Sequence, residues 1–122
     1  MAKAHDFRDV QGDDIHLTVA IQEDGVAVDI TGGSIWITFK NNLTDVDTSA
    51  VLQVAWGAAA GARGPLTSPA SGIHEIHLTN TDTANLNSEY YYDIQYKSTA
   101  GDVITLLIGK WDFTHERTVT KS

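Results

Sequence analysis

The chain has 122 residues, with 16 acidic against 8 basic side chains and no cysteine. This length suits one domain, and the lack of cysteine excludes a disulfide framework and a thiolate metal site. A net charge of -8 with scattered basic residues argues against nucleic acid as a partner, because phosphate binding requires concentrated positive charge. No apolar run reaches membrane-spanning length and no signal-peptide pattern follows Met1, so we expect a protein made in a cytosol, with no membrane partner.

The first forty residues predict an arm followed by three strands. Residues 1–12 are polar and show no period, which indicates an arm that is ordered only if another surface holds it. Apolar residues alternate with polar or small ones over residues 15–21, and a short apolar run follows at 26–30. Alternation returns over residues 34–40, which predicts a third strand.

The middle of the chain alternates loops with strands. Residues 41–48 predict a polar loop, and 50–56 predict a strand. Residues 57–72 are rich in Gly, Ala, Pro and Ser and are longer than most connections in a compact domain, so we expect a loop that is mobile or held by a partner. A strand follows at 73–78, and the polar link 79–88 has room for one helical turn.

The clearest pattern in the sequence is a β-hairpin over residues 89–113. In its first half the residues at even positions, three Tyr and one Ile, fall on one face, as in a half-buried antiparallel strand. Residues 98–102 predict the turn, and two further strands follow at 103–108 and 110–114. The order of Asp82, Thr83 and Ala84 ahead of Tyr90 resembles a tyrosine corner, which suggests a Greek-key corner.

Seven or eight short strands with regular turn signals predict an all-β protein, and we favour an antiparallel immunoglobulin-like β-sandwich in a single domain. A small closed barrel remains the alternative, because strand count and spacing do not separate the two folds. We divide the chain into an N-terminal arm (1–12), the β-sandwich domain (13–116) and a C-terminal tail (117–122).

No motif assembles a catalytic, cofactor or metal site. His74 and His77 would lie on opposite faces of a strand, so we interpret them as ordinary surface histidines. Oxygen ligands of the calcium type occur over residues 41–47, but the glycine and glutamate of an EF-hand are missing. The glycines of residues 57–61 are not followed by the Lys-Ser or Lys-Thr of a phosphate loop. We therefore expect no cofactor.

Four aromatic side chains leave two interpretations open. Trp36, Trp56, Trp111 and Tyr91 could form a platform for a sugar ring, as in a carbohydrate-binding β-sandwich. Aromatic residues on strands more often fill the space between two sheets, so we favour core packing. The platform would require several of these rings to be exposed on one side.

The order of several short motifs is similar to that of small β-sandwich domains in tailed-bacteriophage virions, such as the amino-terminal domain of baseplate upper proteins and related tail or head accessory proteins. The resemblance spans most of the chain. Its motifs are Gly12-Asp13-Asp14-Ile15, Asp24-Gly25 followed by Val28-Asp29-Ile30-Thr31-Gly32, Gly72-Ile73, Tyr92-Asp93-Ile94-Gln95, and Gly101-Asp102-Val103 running to Gly109. In such proteins the domain anchors a larger component, whereas this chain holds one domain, which favours capsid decoration or a small connector.

The resemblance implies a non-enzymatic virion structural protein, made in the host cytoplasm, that decorates the capsid or serves as a tail, neck or baseplate accessory. We expect it to bind copies of itself and other virion proteins through the 57–72 loop and both termini. The candidate interface residues are Arg63, Pro65, Leu66, Phe7, Arg8 and Arg117. The alternative is a carbohydrate- or host-surface-binding β-sandwich module, whose partner would be a surface glycan.

Overall fold

The computed structural model describes residues 3–42, 44 and 49–114. Within these residues the chain forms short strands, one helix and one 3-10 turn. The strands are β1 Lys3–Ala4, β2 Phe7–Val10, β3 Ile15–Ala20, β4 Gln22–Glu23, β5 Val26–Ala27, β6 Ser34–Lys40, β7 Leu52–Gly57, β8 Ile73–Leu78, β9 Glu89–Lys97 and β10 Val103–Thr114. The 3-10 turn is Pro69–Ser71 and the helix, α1, is Asn80–Thr83. None of the described helices is long and apolar enough to cross a membrane.

Two sheets form the sandwich. The larger has the order β1-β10-β9-β6-β7, with β2 also beside β10, and the smaller pairs β3 with β8. Their strands are antiparallel, except that β1 and β2 run parallel to β10. A small β4–β5 hairpin lies outside both sheets. Buried residues from both sheets form one shared core, as in an immunoglobulin-like sandwich. The predicted fold class is confirmed.

The core lies between the sheets and is built by two-residue alternation. In β9 the even-numbered side chains from Tyr90 to Tyr96 are buried, while the intervening ones are only partly covered. In the neighbouring strand β6, Ile35, Ile37 and Phe39 are fully buried. Phe39 also meets the edge of the Trp111 ring, with 5.4 Å between centroids. Both strand patterns were predicted from the sequence, because period-2 burial is a local signal.

The predicted hairpin is present, but its second half is one strand. The turn closes where the Ser98 N–H donates to the Asp102 carbonyl at 2.9 Å. Residues 103–108 and 110–114 were predicted as two strands, and this was wrong because β10 continues through Gly109. An added Cβ at Gly109 would lie 2.1 Å from the His5 carbonyl oxygen. The glycine therefore marks where the arm approaches the strand closely, and not the end of a strand.

The N-terminal arm is held by β10. Lys3 and Ala4 pair with Leu107 and Ile108, and β2 pairs with the last four residues of β10. Side chains reinforce this: the Tyr92 hydroxyl donates to the His5 carbonyl at 2.6 Å. The predicted arm is therefore ordered by pairing with β10, the last described strand of the same chain.

The long loop is also held by the chain itself. The Arg63 N–H donates to the Ala55 carbonyl at 2.8 Å, and Leu66 is buried in the core. The Arg63 guanidinium forms a two-bond pair with Asp82, in which Nη2 donates to Oδ1 at 2.8 Å. Intramolecular contacts from distant parts of the chain hold the loop, whereas the sequence suggested a mobile or partner-held loop. Its use as a contact surface for a partner stays a prediction.

A tyrosine corner forms where β9 begins, as the sequence suggested. The Asn87 N–H donates to the Tyr90 hydroxyl oxygen at 3.1 Å. The preceding link contains α1, which starts with a capping box: the Thr79 hydroxyl accepts from the Asp82 N–H, and the Asp82 carboxylate accepts from the Thr79 N–H. This reciprocal pair satisfies two amide donors at the start of the helix.

Replacing Tyr90 by Phe should lower the free energy of unfolding by about 1 to 2 kcal/mol, because the partly buried Asn87 amide loses its partner. Urea titration followed by tryptophan fluorescence measures the change. The matched control is Tyr96→Phe, since Tyr96 is buried on the same face without a hydrogen bond from its hydroxyl within the described part. Equal losses from both variants would contradict a stabilising corner.

Candidate functional site

A groove lined by both apolar and polar residues opens along one side of the sandwich, where the edges of the two sheets come near each other. We call it the edge groove. Its volume is about 740 Å³. Residues from β3 and its following turn form one wall, and residues from β9 and β10 form the other. The lining residues are Thr18, Val19, Ala20, Ile21, Gln22, Glu23, Val28, Tyr96, Ile104, Thr105, Leu106 and Leu107.

Both walls end in strand edges that lack a neighbour among the described residues. The strand β3 pairs only with β8. The first part of β10, residues 103–106, has only β9 beside it, because β1 begins to pair at Leu107. Unpaired edges expose backbone N–H and C=O groups that can accept another strand. The edge groove is therefore bordered by hydrogen-bonding backbone on two sides.

Ile104 shows that the groove is an uncovered piece of core. It stands opposite Tyr96 in the β9–β10 ladder, so both side chains lie on the core-facing side of the sheet. Tyr96 is buried, whereas Ile104 is 44% exposed. The smaller sheet does not extend over this position. An isoleucine on the inner face with this exposure offers apolar surface that a partner can bury.

One acidic residue lines the edge groove, and two more lie near its walls in the sequence. Glu23 is the one charged residue among those that line it. Asp24 follows Glu23 in the β4–β5 turn, and Asp102 directly precedes the free part of β10. With the acidic balance of the whole chain, this makes the groove a better fit for a cationic segment than for an anionic one.

The predicted interface residues differ in exposure, and their role in an interface stays a prediction. Phe7 is half-buried and stacks on Trp111 at 4.2 Å, and Leu66 is buried. Arg63 is paired with Asp82, while Pro65 and Arg8 are exposed. Arg117 lies outside the described residues. None of the five described residues lines the edge groove, because the groove depends on which strands pair, and no local sequence signal reports that.

A smaller pocket of about 350 Å³ lies on the outer face of the larger sheet, beside Tyr91 and Lys110. The Lys110 ammonium sits 5.7 Å from the centre of the Tyr91 ring. At the pocket wall, the Asp6 carboxylate accepts from the Lys110 backbone N–H at 3.0 Å. These two contacts are made within the chain.

The aromatic platform suggested as an alternative is not assembled. Trp56 and Trp111 are buried in the core. Trp36 and Tyr91 are partly exposed on the outer face of the larger sheet. Trp36 lies opposite Gln95, whereas Tyr91 lies opposite Lys40, which is four residues from Trp36 along β6. Core packing, the favoured interpretation, describes two of the three tryptophans.

The two histidines at 74 and 77 point to opposite sides of β8, as predicted, but one of them is not on the surface. His77 stacks on His16 at 4.2 Å in a partly exposed position. His74 is only 1% exposed and packs against Trp56, so the expectation of a surface residue was wrong for it. Within the described residues no group of three or more His, Asp or Glu side chains is placed to hold a metal ion. Asp45 and Asp47 of the suggested calcium loop lie outside those residues.

His74 is held in one neutral form. The Thr67 N–H donates to its Nδ1 at 3.2 Å, which places the ring proton on Nε2. Nε2 has no hydrogen-bond partner among the described residues. Burial lowers the pKa of His74 below its usual value, against a smaller opposing effect of the Glu75 charge. Protonation would break the Thr67 contact and place a charge in the core.

Comparisons with known proteins add the following. No family model matches the sequence, and no curated protein matches it. A chain in a crystal structure of ICOS in complex with ICOS-L and an anti ICOS-L VNAR domain is similar, with 13% sequence identity and a TM-score of 0.46. The match covers 94% of this chain and 56% of that chain, so this chain spans little more than half of its length. So distant a likeness carries no argument about function.

The His74 geometry predicts a dependence of stability on pH. Its folded-state pKa is lowered, so this contribution is complete above the unfolded value of about 6.5 and is lost as pH falls through the folded pKa. Urea unfolding between pH 7.5 and 5 should show a declining midpoint. The decline should be smaller in His74→Gln, which keeps an acceptor for Thr67, and unchanged in the control His77→Gln. An identical decline in all three proteins would contradict the role of His74.

Proposed function

We propose that this protein is a non-enzymatic structural component of a bacteriophage virion, acting through protein–protein contacts as a capsid decoration protein or a tail, neck or baseplate accessory. The single observation that carries the proposal is the edge groove, with an inner-face isoleucine left exposed beside two strand edges that have no neighbour in the described part of the chain. A surface of this kind suits a partner that supplies backbone as well as apolar side chains.

The order of the phage-like motifs supports the same role. In the structure several of them occupy turns: Asp24-Gly25 joins β4 to β5, and Gly101 lies in the β9–β10 turn. Gly72 has φ +70°, and an added Cβ would lie 2.5 Å from the Val28 carbonyl oxygen. The resemblance therefore rests on positions where the chain must bend or pack closely, which are features of a shared fold.

The charge of the chain fits a component that remains separate until it docks. A formal charge of -8 on 122 residues repels free copies from one another at long range. At contact distance this repulsion must be offset locally. The apolar wall of the edge groove provides such an offset, because burial of apolar area is independent of net charge.

Binding to a surface glycan is the weaker proposal. It called for exposed tryptophans on one side, whereas Trp56 and Trp111 are core residues. Of the four platform residues, Tyr91 borders the outer-face pocket. No second aromatic residue from the proposed platform borders it.

The test is to purify phage particles from the source of the sequence and to count copies of this protein per particle by quantitative mass spectrometry. We expect a fixed copy number that survives a high-salt wash, matching the shell lattice for a decoration protein or one ring for a tail or neck component. An abundant host cytoplasmic protein of similar size serves as the control for contamination. Copy numbers no higher than that control would overturn the proposal.

A further inference from the structure

The edge groove has the shape of a missing strand. Over residues 103–106 the edge of β10 is free among the described residues, and the free edge of β3 forms the opposite border. An extended segment placed between them would gain backbone hydrogen bonds from a strand edge. Its inward side chains would cover Ile104 and Leu106. Strand addition of this kind is a common way for sheets to bind peptides.

We propose that residues 115–122 of one copy fill the edge groove of a second copy. This inference rests on the proposed function as a repeated component, and it names the partner and the contact. The segment reads His-Glu-Arg-Thr-Val-Thr-Lys-Ser and lies outside the described residues. Three features of its sequence match the groove: its side-chain pattern, its charge and its place in the chain.

The side-chain pattern fits a strand at the edge of this sheet. Residues 118–120 are Thr, Val and Thr, β-branched residues with high strand propensity. With alternating sides, Val119 faces the groove while Thr118 and Thr120 face outward. The outward side of the neighbouring strand carries Thr105, which is itself polar. An apolar residue therefore meets the apolar wall, and threonines meet a threonine.

The charge of the segment is opposite to that of the body. Arg117 and Lys121 against Glu116 give a formal charge of 2 − 1 = +1, which leaves −8 − 1 = −9 for the other 114 residues. Arg117 and Lys121 lie on the same side of an extended segment as Val119, one at each end. One of them can then reach Glu23, the charged residue of the groove. Opposite charges at the ends set the position of a docking strand.

The place of the segment points to a second copy. The chain leaves β10 at Thr114, where β2 already pairs with the strand. Between Thr114 and the groove, β1 and β2 occupy the edge of β10. To reach its own groove, the segment would have to pass outside both strands. Docking in a neighbour avoids this and gives a head-to-tail contact, which closes into a ring or extends into a chain.

The first test uses the full chain and three variants, with molecular mass measured by sedimentation at several concentrations. The full chain should self-associate. A variant lacking residues 115–122 has no segment to dock, and the Ile104→Lys variant has a disrupted edge groove. Each variant alone should therefore remain a monomer. Ile108→Lys is the matched control: Ile108 lies on the same strand with the same 44% exposure, but opposite Asp93 on the outer face. It should associate like the full chain.

Mixing the two defective variants decides the contact. The Ile104→Lys variant keeps residues 115–122, and the truncated variant keeps an intact edge groove. Together they should form a dimer with one copy of each variant and nothing larger. A symmetric groove-to-groove contact would give no such dimer. Failure of the mixture to dimerise, or self-association of the truncated variant at full strength, would overturn the proposal.

A synthetic peptide of residues 115–122 provides a measurement that does not depend on how the variants assemble. It should bind the truncated protein, and binding should be at least roughly tenfold weaker when Ile104→Lys is added, because a lysine would place an unpaired cation on the apolar wall. Equal peptide affinity in both proteins would contradict the site. Particle counting separates this result from the proposed function. If the protein is present in particles but does not bind the peptide, only the proposed contact is contradicted. If the protein binds the peptide but is absent from particles, only the proposed virion role is contradicted.

Discussion

The pairing of the N-terminal arm with β10 is the constraint on which the rest of the structure depends. The strand β10 has β9 on one edge, and on the other edge it holds β1 and β2 in parallel. Parallel pairing places the arm over Trp111, whose indole N–H donates to the Asp9 carboxylate at 2.8 Å. Gly109 permits the close approach of the arm backbone. Without the arm, a large aromatic part of the core would face water.

The same pairing determines where the sandwich is open. Among the described residues β1 pairs with β10 from Leu107 onward, so the first residues of β10 have only β9 beside them, and the inner-face residue Ile104 is 44% exposed. Covering a side chain of this size is worth about 1.5–3 kcal/mol when it is complete. The groove thus places an exposed apolar side chain next to backbone groups that can form hydrogen bonds with another strand. Both properties favour an extended partner.

Sequence reasoning was reliable where burial follows local alternation and unreliable where it depends on distant pairing. The buried tyrosines of β9 and the tyrosine corner at Tyr90 were predicted, because the period and the turn lie within a few residues. The Arg63 guanidinium and the Asp82 carboxylate form their two hydrogen bonds across 19 residues of sequence, and no local pattern predicts this ion pair. Burial of His74 likewise depends on Trp56 from another strand. The edge groove could not be predicted, because the run from Val103 to Ile108 does not show which edge of the strand is free.

Residues 103–106 of β10 have only β9 beside them among the described residues, and we propose that assembly covers this edge. Hydrogen exchange measured by mass spectrometry tests it most directly, first on the dilute protein and then on the assembled form. In the dilute protein these residues should exchange roughly tenfold or more faster than residues 107–113 of the same strand, which the arm covers, and they should become protected on assembly. Slow and equal exchange along all of β10 in the dilute protein would contradict the account.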